Sequence, residues 1–320
     1  MGVRKALLNA LKVLVVCLVF AASSVVGGIL SGLNTIGQGA SPSRHTIAAP
    51  ADAPPEKAPA QPPENFLLSF VTFSICVGAA VSYLILRSSW HGWRLVGAMC
   101  VSMYGISTVA TQVETAWFLS NRLPGGMIQA IFLQGAIATA LSAPLSVLLL
   151  GKWQTPRPSS VSSASARMPA VPDARSVALA VVAFVFLYML FGYYVAWQSA
   201  AVREYYGGSE YPSFYAALRD NWMDHRWLYA LQVFRALLCV ACLYPLVRML
   251  HVARWETCLA MALFLSVWTT ALLLPNPLMP SAVAHAHFRE TLGFSLVFGA
   301  LAGWLLTTPR RVAAVTAVRA

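Results

Sequence analysis

His287 and Glu290 stand three residues apart in LLPNPLMPSAVAHAHFRET, Leu273 to Thr291, where three prolines, an Asn, two His, an Arg and a Glu separate two long apolar runs. On a helix beginning near Ala282, His287, Glu290 and Thr291 share one face. That sets a titratable base beside a carboxylate, the pairing used in acid–base chemistry or metal ligation. His285 points elsewhere on such a helix, so His285-Ala-His287 is not a metal clamp. A catalytic zinc needs three protein ligands and an open position, and the third would have to come from His285, His225 or Glu114. The sequence therefore implies no metal and no cofactor. Pro275, Pro277 and Pro280 end the preceding helix and remove N–H donors. Carbonyls left open at membrane depth are tolerated only inside protein or along a wet cavity, and Asn276 can serve some of them. The segment reads equally as a connecting corner and as the floor of an outward-facing pocket.

Arg235 lies about 12 Å along an apolar run counted from Trp227, deeper than lipid headgroups. An ionisable group there is expensive and calls for a partner. Gln232 shares its helical face. Glu114, in TQVETAWF with Gln112, Thr111 and Thr115, is the natural counter-charge, and Glu290 is the competing one. Glu114, Gln112, Arg235, Asn276, His287 and Glu290 form the candidate polar or ligand-binding cluster. Cys239 and Cys242 make a C-x-x-C, but among Val, Ala and Leu they read as small residues at a helix contact rather than as a redox pair.

The elements that must carry these residues are membrane spans. The chain is 58% hydrophobic and 10% charged, far from the roughly 25% charged residues of soluble domains. Eight runs approach the roughly 20 apolar residues a span needs, near 10–33, 66–86, 95–116, 126–150, 176–199, 227–248, 257–275 and 291–307. Met1 to Leu33 has the flavour of a signal peptide, but its apolar core is long for one and reads as a span. With the N-terminus inside, about two thirds of the 22 Lys and Arg fall on cytoplasmic loops, as the positive-inside rule requires. Both termini are thus expected in the cytoplasm of a bacterial cell with the chain in its cytoplasmic (inner) membrane. The net charge of +11 is then topogenic, facing anionic headgroups rather than nucleic acid.

Pro- and Ala-rich residues 37–63 read as an outer loop, and 155–175 as a cytoplasmic linker between a first four-span half, 1–154, and a second, 176–320. A shift of about 161 residues lays Tyr83-Leu-Ile-Leu-Arg87 over Tyr244-Pro-Leu-Val-Arg248 and Thr108 over Thr269. Such matches fit either a 4+4 parallel repeat or chance alignment of apolar runs. Between the fifth and sixth runs, Gly207-Gly208 signals a turn, and Phe214, Leu218 and Trp222 form the apolar edge of a short surface helix with Arg219 and Asp220 toward water.

Taken together, TQVETAWF, FGYYVAWQSAAVREYYGG and LLPNPLMP…HFRET resemble a family of bacterial multi-span membrane proteins to which no activity is assigned. The resemblance covers most of the chain outside the two linkers and implies only that the outer-end polar residues matter. H-E-x-x-H, G-x-S-x-G and Walker A patterns are absent from the sequence. The expectation is an all-α polytopic bundle of about eight spans that binds or transports a small or lipid-like ligand at an outer-leaflet polar pocket. Two alternatives stand beside it: a membrane-embedded enzyme using His287 and Glu290, and a non-catalytic subunit that assembles with a membrane protein partner.

Overall fold

Where no water can pair with backbone N–H and C=O groups, a chain satisfies them within itself by forming helices. The computed structural model describes residues 2–33, 66–119, 123–154, 171–208, 212–275 and 279–307. In chain order the helices are α1 (Gly2–Leu30), α2 (Phe66–Arg87), α3 (Gly92–Tyr104), α4 (Ala110–Leu119), α5 (Met127–Leu149), α6 (Ala174–Phe191), α7 (Ala200–Tyr206), α8 (Phe214–Asp224), α9 (Arg226–Met249), α10 (Arg254–Thr269) and α11 (Ser281–Leu306). A π-turn, Gly105–Val109, runs α3 into α4; a second, Gly192–Ala196, extends α6; a 3-10 turn, Thr270–Leu273, ends α10. The linker at 37–63 and most of that at 155–175 lie outside the described residues.

Seven stretches among the described residues are long and apolar enough to cross a bilayer: Ala6–Leu30, Phe66–Arg87, Gly92–Trp117, Met127–Leu149, Ala174–Ala196, Arg226–Met249 and Arg254–Leu273. The eighth expected span corresponds to α11, which is 26 residues long. Its opening turns carry His285, His287, Arg289 and Glu290, which dilute its apolar length. The fold is therefore an all-α polytopic bundle with about seven membrane-crossing helices. Large apolar side chains such as Leu67 and Val182, 69% and 66% exposed, line its outer surface. They would be a liability in water and are the proper coating in lipid.

Because lipid tails are as apolar as leucine, helix association here depends on close packing rather than on escape from water. Glycines provide it. A Cβ on Gly299 would stand 2.6 Å from the Cα of Ala262, and one on Gly303 2.8 Å from the Cα of Cys258. These glycines are four residues apart, and so are their partners, so α10 and α11 run backbone to backbone over a full turn. Gly78 approaches Cys17 in the same way, its Cβ position 2.7 Å from the partner Cα, and that of Gly27 lies 2.7 Å from the carbonyl oxygen of Gln134. Leu95, Met99, Leu243, Met261, Phe264 and Phe298 fill the single large core between these seams. Trp268 packs edge-on against Phe20, Phe73 and Phe264.

The packing partners fall into matched sets. α1 packs on α2 and α5, and α3 on α5; in the later part of the chain α6 packs on α9 and α11, and α10 on α11. Between these sets α2 meets α10 and α3 meets α9. Gly207, at φ +83°, ends α7 in the left-handed conformation, with its own N–H and that of Gly208 bonded back to Glu204 and Arg203, a Schellman closure that glycine alone adopts without strain. Ser213 caps α8 by accepting from Ala216 N; Phe214 and Leu218 face α6 and α9, while Arg219 and Asp220 pair at the surface.

Replacing Gly303 by Leu drives a side chain into the backbone at Thr257 and Cys258. Reversible unfolding in mixed micelles is expected to register a loss of about 1–3 kcal/mol. Gly97→Ala, at a helix-interior glycine with no atom within 4 Å of its Cβ position, is expected to be neutral or to stabilise by up to about 1 kcal/mol.

Candidate functional site

Arg235 reaches from α9 across to α4. Its Nη2 lies 2.8 Å from Glu114 Oε2, Nε donates to the Ala110 carbonyl at 3.0 Å, and Nη1 donates to Gln232 Oε1 at 2.8 Å. Every nitrogen of the guanidinium is engaged, and its Cζ sits 5.9 Å from the ring centroids of both Phe184 and Tyr188 on α6, in cation–π range. Tyr188 Oη donates to the other carboxylate oxygen of Glu114 at 3.0 Å. Of the two counter-charges the sequence left open, Glu114 is the one paired. Three helices are thus tied at one point, the arrangement that makes an ion pair tolerable at membrane depth.

The π-turn places Glu114. The Ala110 N–H bonds back to Gly105 O, and the extra residue in that turn rotates all that follows by about 100° relative to a regular helix. A Cβ on Gly105 would collide with Cys242 Sγ, so the turn begins where α3 and α9 touch. Ser102 Oγ donates to the Cys242 carbonyl at 2.6 Å across the same contact. Cys239 and Cys242 are both free and buried there, occupying the contact as small residues. Thr111 and Thr115 donate to the backbone oxygens of Ile106 and Thr111 and take no part in the cluster.

On α11, His287 and Glu290 meet as their spacing predicts. His287 Nδ1 lies 2.7 Å from Glu290 Oε2, and Thr291 Oγ1 donates to the His287 carbonyl. Nε2 lies 3.2 Å from Tyr206 Oη. An ionised Glu290 only accepts, so Nδ1 carries the proton and a neutral ring accepts from the tyrosine. Tyr206 is held in place by α7, whose Val202 is buried with Val283 and Ala286 of α11 in a small satellite core. His285 turns away and bonds the Ser281 carbonyl at 2.7 Å.

Glu290 Oε1 lies 3.5 Å from where a Cβ on Gly192 would stand, one helical turn beyond Tyr188. The described site is therefore a line of polar groups, Arg235–Glu114–Tyr188 and Glu290–His287–Tyr206, drawn from α4, α6, α7, α9 and α11. Gln112 Oε1 and Gln232 Nε2 are buried without a hydrogen-bond partner among the described residues. Gln232 is fully buried, and its orientation is fixed because a guanidinium can only donate to its Oε1. Asn276 lies outside the described residues. Among those residues no group of three His, Cys, Asp or Glu side chains is placed to hold a metal ion.

Tyr188 and Tyr206 were not among the residues singled out in the sequence. Each sits among other aromatics, Tyr188 in YMLFGYY and Tyr206 in REYYGG, where they read as interfacial anchors. Also unexpected is an ion pair at the opposite end of the bundle, Arg87 Nη2 to Glu256 Oε1 at 2.5 Å, with Tyr83 Oη donating to the same oxygen at 2.7 Å. The sign in the sequence was a lone acid, Glu256, at the basic end of a span.

Glu114→Gln leaves Arg235 at membrane depth without its counter-charge, and unfolding in micelles is expected to cost about 3–5 kcal/mol. The apolar double variant Glu114→Leu/Arg235→Met is expected to regain most of that loss; if it is no better than the single change, the pair is not what sets stability there. No family model matches the chain, and no curated protein or solved structure does so either. The reading of the site therefore rests on its geometry.

Proposed function

We propose that the chain is an eight-span protein of a bacterial cytoplasmic membrane, both termini inside, that binds or passes a small lipid-like or protonatable ligand at the outer end of the bundle. The observation that carries this reading is the meeting of Glu114 of α4 and Arg235 of α9 at Tyr188, with Glu290 of α11 against Gly192, one turn beyond Tyr188, and two buried amide atoms of α4 and α9 unpaired among the described residues. Buried polar atoms in native proteins are nearly always satisfied. Gln232 Nε2 lies on the side chain that accepts from Arg235, so a ligand with an acceptor oxygen would supply its partner.

In this reading the matched packing sets are the two halves of a 4+4 parallel repeat, an arrangement that keeps the site at the interface between repeats. The halves are fastened by one ion pair at each end, Glu114 to Arg235 outside and Arg87 to Glu256 inside. Opening one while the other stays closed would expose the interface to one side at a time. Glu114 and Arg235 also hold ligand, and His287, oriented by Glu290, carries the proton. A second reading has its own support: a carboxylate–histidine–tyrosine line, Glu290–His287–Tyr206, is the geometry of an oriented general base.

A deletion strain carrying wild type, Glu114→Gln or Glu290→Gln is expected to separate these ideas on a panel of small lipid-like and ionisable compounds. Glu290→Gln should reach the membrane at wild-type level and Glu114→Gln, which loses the tie to Arg235, at a lower one; compared at equal amounts in the membrane, each should behave as the deletion does. Full activity of both sinks the binding reading. Chemical conversion of a compound by wild type, abolished by His287→Gln without loss of binding, moves the assignment to an enzyme.

A further inference from the structure

We propose that the end of the bundle opposite the polar cluster holds an anionic phospholipid of the cytoplasmic leaflet, its phosphate at Arg94 and Arg248 and one acyl chain in the groove between α3 and α9. Arg94 Cζ lies 3.9 Å from the Trp90 ring centroid and Arg248 Cζ 5.6 Å from the same ring, with Tyr244 6.0 Å from Arg248 on its other side. Two guanidinium groups therefore share one indole. Neither has a carboxylate in ion-pair range among the described residues. The acids nearby are committed: Glu256 to Arg87 and Tyr83, Asp173 to the cap of α6. Lys152 adds further positive charge, its Nζ on the Ser88 carbonyl at 2.7 Å. Like charges gathered without an anion are the mark of a site that an anion completes.

The groove beneath them has a volume of about 550 Å³ and runs from Arg248 past Tyr244 and Val240 to Leu237, with Gly97 and Val101 on its α3 side. The eleven helical steps from Leu237 to Arg248 make about 16 Å, the depth of one leaflet of a roughly 30 Å hydrocarbon core. A groove of that length, apolar throughout and ending in paired arginines at headgroup level, has the shape and polarity of a phospholipid. Gly97 points the same way. Glycine inside a helix is destabilising relative to alanine, and Gly299 and Gly303 are required by backbone contact, but at Gly97 no atom approaches within 4 Å. Its missing side chain keeps the wall of the groove open. Val171, Pro172 and Val177, leading into α6, form a further apolar wall of the groove; a second copy of the chain would bring its own arginines to this face and be repelled where a phosphate is attracted.

Native mass spectrometry of the full-length protein in detergent, titrated with phosphatidylglycerol or with phosphatidylcholine of equal chain length, tests this. Wild type is expected to retain phosphatidylglycerol preferentially, Arg94→Gln and Arg248→Gln each to weaken it by about fivefold, and Gly97→Leu to weaken both lipids without changing the headgroup preference. Circular dichroism and thermal unfolding matching wild type certify Gly97→Leu as folded. Equal retention of the two lipids by wild type, or phosphatidylglycerol retention unchanged in all three variants, overturns the proposal. So does binding of inorganic phosphate that Gly97→Leu leaves intact while lipid is not held, which assigns the arginines to a free anion. A dimer that the arginine variants abolish assigns the groove to a second copy and overturns it too.

Discussion

A guanidinium at membrane depth must be answered by protein, because nothing else there can answer it. Arg235 is answered by a carboxylate, a backbone carbonyl and an amide oxygen, each from a different direction. Supplying the three acceptors requires α4 and α9 to stand at a fixed separation, with α6 close enough for Tyr188 to complete the carboxylate. Much of that end of the bundle follows from this. The π-turn at Gly105–Val109 turns Glu114 inward, and the contact of Gly105 with Cys242 lets the helices come near enough for Arg235 to reach Ala110.

Packing elsewhere obeys a different rule. In lipid, burying leucine against leucine gains little over burying it against acyl chains, so the seams of this protein are made where side chains are missing. Gly78 on Cys17, Gly299 on Ala262 and Gly303 on Cys258 bring backbones together and let dispersion act over short distances. The large residues Met99, Leu243 and Phe264 then fill the space that the seams define. Polar ties close the two ends of the bundle, and small residues close its length.

The spans were legible because hydrophobic length is a direct physical requirement of the bilayer, and α11 was the least clear since its first turns are polar. Charge at membrane depth pointed to Glu114 as the natural partner of Arg235 but left Glu290 beside it, a choice that only the tertiary contact makes; the shared face of His287 and Glu290 and the helix α8 needed only helical periodicity. What escaped depends on phase or on distance in sequence. A π-turn has no residue pattern that periodicity detects, so the faces beyond Gly105 and Gly192 could not be assigned. Tyr188 and Tyr206 resemble other membrane tyrosines until a carboxylate and a histidine appear opposite them. Glu256 meets Arg87 across 169 residues of chain, a separation over which no local rule operates.

The contact of α11 with α10 carries one more consequence. Two glycines spaced by one turn, matched to two residues with the same spacing, behave as the teeth of a rack: they permit a single axial setting, and the next lies a whole turn away, about 5.4 Å. Glu290 is nine residues before Gly299 on the same rigid helix, so its height in the membrane is fixed by a contact roughly 14 Å away. A slip of one tooth would carry His287 beyond the hydroxyl of Tyr206 and withdraw Glu290 from Tyr188. The glycine seam, made by backbone rather than by any charged side chain, thereby meters the position of every charged group on α11.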